Sequence, residues 1–225
     1  MSTRDTYVPD PQLERQKEAL ILSWVERGVP IKQETIAAFQ KVHRELFTLP
    51  EFREYAYTDR PLPILGGQTI SQPITVLLML DMLDIHPGQN ILEIGAGSGY
   101  NAAMLGTLVG QKGSVISTEI IPELVDFAKN NLEKASIDTV KVMHVDGSKG
   151  YKKKAPYDRI ISTAGAPRIP LALIEQLAEG GILLIPADAN GYYQKMFKIT
   201  KKKGGISIQE FGEFQFVPLT GEYGK

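Results

Sequence analysis

The 225-residue chain contains no cysteine, which excludes disulfides, thiolate metal sites and cysteine nucleophiles. Histidine is scarce as well. His43, His86 and His144 lie far apart and show none of the close spacing of a zinc motif. Neither sign of charge is in excess, with 25 Lys and Arg against 26 Asp and Glu. Such a balance gives no basic field for general nucleic-acid binding. No apolar run approaches the ~20 residues that a membrane-spanning helix needs, and residues 1–10 lack the apolar centre of a signal peptide. These absences lead to the expectation of a soluble cytoplasmic protein with no metal, no nucleic-acid partner and no membrane partner.

What is present is 43% hydrophobic content, enough for one substantial core. Asp10-Pro11 reads as a helix start and Gly28 as its end, with Leu13, Leu20, Ile21 and Trp24 at helical spacing between them. A second helix is predicted over 32–46, with Ile36, Phe39 and Val42 on one face. Residues 1–47 thus form an N-terminal helical preface. Over 48–72 the periodicity lapses among Pro50, Pro61, Pro63, Gly66 and Gly67. A structureless connection of that length is uncommon without a functional task, so it reads as an active-site loop.

Residues 73–225 then alternate. Helices are predicted over 73–83, 100–109, 122–134 and 170–177, and strands over 90–94, 114–119, 140–145, 157–163 and 182–185. That order means βαβ units and an α/β fold: a Rossmann-like, doubly wound, mostly parallel sheet. Segments 192–200 and 206–217, separated by Lys201-Lys202-Lys203-Gly204-Gly205, are predicted to add an antiparallel C-terminal hairpin at one edge. The three stretches are expected to form a single compact unit.

The first strand of that series ends in Glu93-Ile94-Gly95-Ala96-Gly97-Ser98-Gly99-Tyr100. Glycines let the backbone turn sharply and approach a ligand, and open α/β sheets bind ligands beyond the carboxyl ends of their strands. A dinucleotide fingerprint needs its third glycine three positions after the second. Here Tyr100 occupies that place. Glu93 would repel a pyrophosphate but suits the cationic end of a methionine moiety. These features favour S-adenosylmethionine over NAD. Glu119 ends the second strand, where a carboxylate accepts from ribose hydroxyls. Asp146-Gly147 ends the third, where a carboxylate can accept from an adenine amino group. Each acid alone could equally be a helix cap, but three at successive strand ends point to one site. The fourth strand ends in Ser162-Thr163-Ala164-Gly165-Ala166-Pro167, with no carboxylate to hold a metal or act as a base, and Asp158 lies at the wrong end. An acceptor that is already ionised, such as a carboxylate with a pKa of about 4, needs no base.

Two blocks are more distinctive. Residues 56–64 read Ala-Tyr-Thr-Asp-Arg-Pro-Leu-Pro-Ile, and residues 67–73 read Gly-Gln-Thr-Ile-Ser-Gln-Pro. Together with 93–100, Ala155-Pro156-Tyr157-Asp158, Ala164-Gly165-Ala166-Pro167, Ile169-Pro170 and Val217-Pro218-Leu219-Thr220, they resemble the signature of the protein-L-isoaspartate (D-aspartate) O-methyltransferase family over about residues 44–220. The resemblance implies an enzyme that uses S-adenosyl-L-methionine, releases S-adenosyl-L-homocysteine and needs no metal. Its acceptor would be the free carboxylate of L-isoaspartyl, and also D-aspartyl, residues in damaged proteins and peptides, and the enzyme would act as a monomer.

Carried onto this chain, the resemblance implies Ser71 as the active-site hydroxyl beside the acceptor, with Thr69, Ile70 and Ser71 against the cofactor. It places Glu93, Gly95, Gly97, Ser98, Glu119 and Ile120 around methionine and ribose, and Asp146 and Gly147 at adenine. Thr220 approaches from the tail. Gly67, Gln68, Ala164, Ala166 and Pro167 fall on the substrate side. The chain departs from the family at Leu65, usually Gly, and at Ile74, often His or an aromatic. Ser71 has a second reading, as N-cap of the helix at Pro73. The rival functions are an aspartyl methyltransferase dedicated to one peptide, a small-molecule methyltransferase with the same cofactor, and a non-catalytic cofactor-binding module.

Overall fold

The computed structural model describes residues 7–188 and 193–225. The chain enters through α1 (Pro11–Glu26) and α2 (Gln33–Lys41). Asp10 caps α1 as the Asp-Pro pair predicts, its carboxylate accepting from Gln12 N at 2.7 Å. The second helix is shorter than the predicted 32–46. It stops at Lys41, and Arg44–Phe47 form a separate 3-10 turn. Extended backbone at Val42 and His43 turns Arg44 and Glu45 into the interior, where both are fully buried. There Arg44 Nε donates to Ala56 O at 2.8 Å, and Tyr57 Oη donates to Glu45 at 2.5 Å. Stranding a buried charge costs several kcal/mol, more than one further turn of helix returns.

Residues 48–72, expected to be structureless, hold 3-10 turns at Pro50–Tyr55 and Leu65–Gly67. They also hold a small antiparallel ladder of β1 (Leu62–Pro63) and β2 (Thr69–Ile70), with Leu62 opposite Ile70. Elements this short give no periodic signal.

The alternating part follows as α3 (Pro73–Leu83), β3 (Asn90–Ile94), α4 (Tyr100–Val109), β4 (Ser114–Glu119), α5 (Pro122–Lys134), β5 (Val140–His144), β6 (Tyr157–Ser162), α6 (Leu171–Glu175), β7 (Leu177–Asp188), β8 (Gln194–Lys202) and β9 (Gly205–Phe214). One seven-stranded sheet has the order β5-β4-β3-β6-β7-β8-β9. Strands β3 to β7 are parallel, and β8 and β9 add the antiparallel edge hairpin. Tyr192, placed by the sequence at the start of that hairpin, lies outside the described residues. α6 is shorter than the predicted 170–177, because Leu177 already pairs with Tyr157. A register shift between Tyr157 and Arg159 then absorbs the Gly180-Gly181 turn.

The chain winds outward from β3 through β4 to β5 and returns to place β6 on the other side of β3. The carboxyl ends of β3 and β6 therefore flank the switch point, where such sheets bind ligands. Trp24, Phe39, Leu77 and Met104 share one apolar core, so the helical preface packs with α3 and α4. Leu92, Ile160, Leu173 and Leu183 belong to a second core that also takes in Leu219 from the tail. Among the described residues, no helix is long and apolar enough to cross a membrane.

Candidate active site

The chain leaves β3 at Gly95 with φ +92°, and a Cβ there would lie 2.6 Å from Thr163 Oγ1 at the end of β6. Only glycine fits this turn between two strand ends. The glycine loop, the ends of β3, β4 and β6, residues 68–71 and residues 217–220 enclose a cleft with about 940 Å³ of empty space, its open mouth included.

Glu119, nearly buried at the end of β4, lines the cleft. One of its oxygens accepts from Gly97 N at 2.9 Å, the other from Ile120 N at 2.8 Å and Ile121 N at 3.0 Å. The carboxylate thereby clamps the glycine loop to the β4–α5 turn. A carboxylate has about four acceptor positions; these three bonds leave it room for one further hydroxyl.

Glu93 stands one layer back. It is fully buried and off the cleft lining, accepting from Asn101 Nδ2 at 2.7 Å and from Ser117 Oγ. Burial raises its pKa to about 7, against the hydrogen bonds from Ser117 and Asn101. The Glu93 carboxyl therefore reaches the cleft through Asn101, which does line it. Sequence reading missed Asn101. Its one signal is its place in the first turn of the helix that leaves the glycine loop.

Asp146 is also off the lining, while Gly147 is on it. Asp146 Oδ1 accepts from Ser148 N at 2.9 Å and Ser148 Oγ at 2.7 Å, and Oδ2 accepts from Glu222 N at 2.9 Å. Burial opposes the charge, but the bonds from Glu222 and Ser148 outweigh it and hold the carboxyl below its ordinary range. The tail is fixed here and at Gly165, which donates to Val217 O and accepts from Leu219 N, each at 2.8 Å. This brings Val217, Pro218 and Leu219 onto the lining beside Thr220.

Of the other sequence-derived residues, Gln68, Thr69, Ile70 and Ser71 form one side of the cleft. Gly95, Gly97, Ser98 and Ile120 lie on the loop side, with Ala164 between the two. Gly67, Ala166 and Pro167 are not on the lining. Ala166 is fully buried, its N–H on Pro186 O and its carbonyl accepting from Asp188 N.

Ser71 is not the cap of α3. Gln72 holds the N-cap position without a side-chain bond, and Asp59 Oδ1 accepts from Ile74 N at 3.0 Å instead. Asp158 is bonded by Asn90 N at 2.8 Å, at the far end of the sheet. The histidines are less isolated than their spacing implies. His43 Nδ1 lies 3.4 Å from both Glu14 and Glu45, and Lys17 Nζ reaches Glu14 at 2.7 Å, so the chain's own ammonium sits in this group.

A mostly parallel seven-stranded sheet, with a glycine loop and a strand-end acid around a cleft at its switch point, defines the Rossmann-like S-adenosylmethionine-dependent methyltransferases. The sequence model of protein-L-isoaspartate(D-aspartate) O-methyltransferase matches residues 15–224, and the chain belongs to that family. A protein-L-isoaspartate O-methyltransferase of Pyrococcus horikoshii is 50% identical over 196 residues, 86% of this chain and 88% of the relative. One from Methanopyrus kandleri is 45% identical and covers 96% of both chains. Among solved structures, a protein-L-isoaspartate O-methyltransferase superposes with a TM-score of 0.83 at 31% identity, covering 92% of this chain and 67% of its own. A Plasmodium falciparum structure assigned to the same enzyme, in complex with S-adenosyl-L-homocysteine, gives 0.80 at 26% identity, covering 91% of this chain and 98% of its own.

Proposed function

We infer that the chain transfers the methyl group of S-adenosyl-L-methionine to the free carboxylate of L-isoaspartyl residues in damaged proteins, and so starts their repair. Family membership supplies the acceptor. The observation that carries the chemistry is the cleft itself. Among the described residues its lining holds one carboxylate, Glu119, which is committed to backbone amides, and no histidine or lysine. An amine or hydroxyl acceptor would find no base there, whereas a carboxylate needs none.

S-adenosylmethionine supplies a methyl group made electrophilic by its sulfonium. Glu119, with Gly95, Gly97, Ser98 and Ile120, holds the ribose and methionine parts. Asn101, backed by Glu93, faces the methionine ammonium. Gly147 and Asp146 close on the adenine side, and Thr220 closes from the tail. Thr69 and Ile70 form the opposite side. Ser71 donates a hydrogen bond to one acceptor oxygen and leaves the other free to attack, as positioning catalysis requires. Gly67, Gln68, Ala164 and Pro167 border the channel for the peptide, and the fully buried Ala166 supports them from behind. After transfer, the neighbouring backbone nitrogen attacks the ester carbonyl, methanol leaves with its proton, and a succinimide closes. Water then opens the ring to aspartate or isoaspartate. The preface (1–47), the loop segment (48–72) and the methyltransferase domain (73–225) work as one unit, a cytoplasmic monomer without nucleic-acid or membrane partners. The apolar core shared by Trp24, Phe39 and Leu77 supports that unity.

The test uses labelled S-adenosylmethionine with an isoaspartyl peptide and its aspartyl twin. Label should enter the isoaspartyl peptide alone, as a base-labile ester that releases methanol. Equal labelling of both peptides contradicts the reading.

A further inference from the structure

The turn that carries Ser71 is held from outside its own helix. α3 begins at Pro73, and the Gln72 side chain leaves the first-turn amides uncapped. Asp59, fifteen residues from Ile74, fills that place: its Oδ1 accepts from Ile74 N at 3.0 Å. Gln72 answers by donating from Nε2 to Asp59 O at 2.9 Å. The two residues bracket positions 71–74 reciprocally, as a capping box does within one segment. The other oxygen of Asp59 accepts from Trp24 Nε1 of α1 at 2.9 Å. Trp24 is fully buried and packs edge-on against Phe39 at 5.3 Å. A chain of hydrogen bonds therefore runs from the N-terminal aromatic core to the residue beside Ser71. Asp59 is half-buried and outside the cleft lining, so it acts without touching the reacting groups.

We propose that Asp59 is a positioning residue for methyl transfer: by capping α3 from the loop, it sets the Ser71 hydroxyl against the acceptor carboxylate. The proposal rests on the reading of Ser71 as the hydroxyl that orients the acceptor. A carboxylate suits the task because the amino end of a helix is electropositive and its first amides lack partners. Without the cap, the turn at 71–74 loses the bond that fixes its angle, and Ser71 moves with it. A shift of about 1 Å in a positioning group costs about 10²-fold in rate.

The experiment measures kcat and KM on an isoaspartyl peptide, cofactor Kd by calorimetry and melting temperature. The full chain is compared with Asp59→Ala, Asp59→Asn, Trp24→Phe, Ser71→Ala and the Asp59→Ala/Ser71→Ala double variant. Asp59→Ala should lower kcat about 10–100-fold and leave cofactor Kd unchanged. Asp59→Asn should recover part of that loss, because its one amide oxygen still accepts from Ile74 N while its Nδ2 cannot accept from Trp24 Nε1. Trp24→Phe removes the second bond but keeps the cap, so it should lower the melting temperature with a smaller loss of kcat than Asp59→Ala. In the double variant the two losses should not multiply, since Asp59 acts through Ser71.

A lowered melting point with unchanged kcat in Asp59→Ala overturns the proposal, and so does a double variant whose losses multiply. If Asp59→Ala does not fold, the remaining single variants decide: kcat falling in step with melting temperature in both Asp59→Asn and Trp24→Phe marks a purely structural role and overturns it. Full turnover in Ser71→Ala removes the reading of Ser71, and the proposal with it. An impaired Ser71→Ala beside a fully active Asp59→Ala removes the proposal alone.

Discussion

On the loop side of the cleft, the glycine loop is clamped through backbone that regular structure has already placed. Glu119 meets the amides of Gly97, Ile120 and Ile121, all in turns at strand ends. On the opposite side little regular structure is available, and side chains do the placing. Arg44 reaches the Ala56 carbonyl and Glu45 reaches Tyr57, each across 12 residues, while Asp59 joins Trp24 to Ile74 across 35 and 15. This second wall also carries a fully buried group of each sign. Burial pulls Arg44 down to about 10, even with Tyr100, Tyr57 and Asp59 beside it. Burial works against Glu45 as well, yet hydrogen bonds from His43, Tyr57 and Tyr7 outweigh it and hold that carboxyl at about 2. The first wall needs correct strand register and glycine. The second needs a network in which each member holds another, and it should fail as a unit.

The most forceful way to break this contrast is Trp24→Ala. Loss of a fully buried indole and its bond to Asp59 should cost about 3–5 kcal/mol of stability, read by denaturant unfolding. Turnover should fall while cofactor affinity of the folded fraction holds. If affinity collapses in parallel, the two walls are not separate.

Next is the pH response of Glu93. Its folded-state pKa is about 7 through burial, against 4.5 for the unfolded chain. Between these values the folded chain keeps a proton that the unfolded chain has released. The stabilisation is complete below pH 4.5 and is lost as pH rises through 7. Glu93→Gln should abolish this slope, worth about 3 kcal/mol, in unfolding curves taken across that range. A slope unchanged in the variant would assign the titration elsewhere. At saturating cofactor, kcat should stay flat from pH 6 to pH 8, because the acceptor is already ionised at roughly neutral pH. A tenfold rise per pH unit would revive an acceptor that needs a base.

The smallest expected effect sharpens the cofactor side. Glu119→Ala should weaken S-adenosylmethionine binding by about 1–3 kcal/mol in calorimetry, with kcat retained at saturation. An unchanged dissociation constant would take Glu119 out of the site.

The same contrast explains what was legible in the sequence. Strand ends, the glycine loop and Glu119 follow from local spacing, and the sheet order supplies the rest. The boundaries of α4, β4 and α5 coincide with their periodic signals. The predicted helix over 32–46 ran too far because buried Arg44 and Glu45 break it, and their partners at Ala56 and Tyr57 are not local. Asn101 escaped notice because its role depends on Glu93 lying behind it. Ser71 read as a plausible cap until Asp59 supplied that cap from another segment. Family resemblance singled out residues 67–73, but spacing alone could not have shown how the loop holds them.

The central claim is that the hydroxyl on the second wall positions the acceptor and does little else. Single-turnover methylation of an isoaspartyl peptide by Ser71→Ala, with cofactor prebound and melting temperature measured on the same sample, tests it most directly. The rate should fall by about 10²–10³, as when one transition-state hydrogen-bond donor is removed, with cofactor affinity and melting temperature unchanged. Full rate with a lowered melting point would contradict the claim.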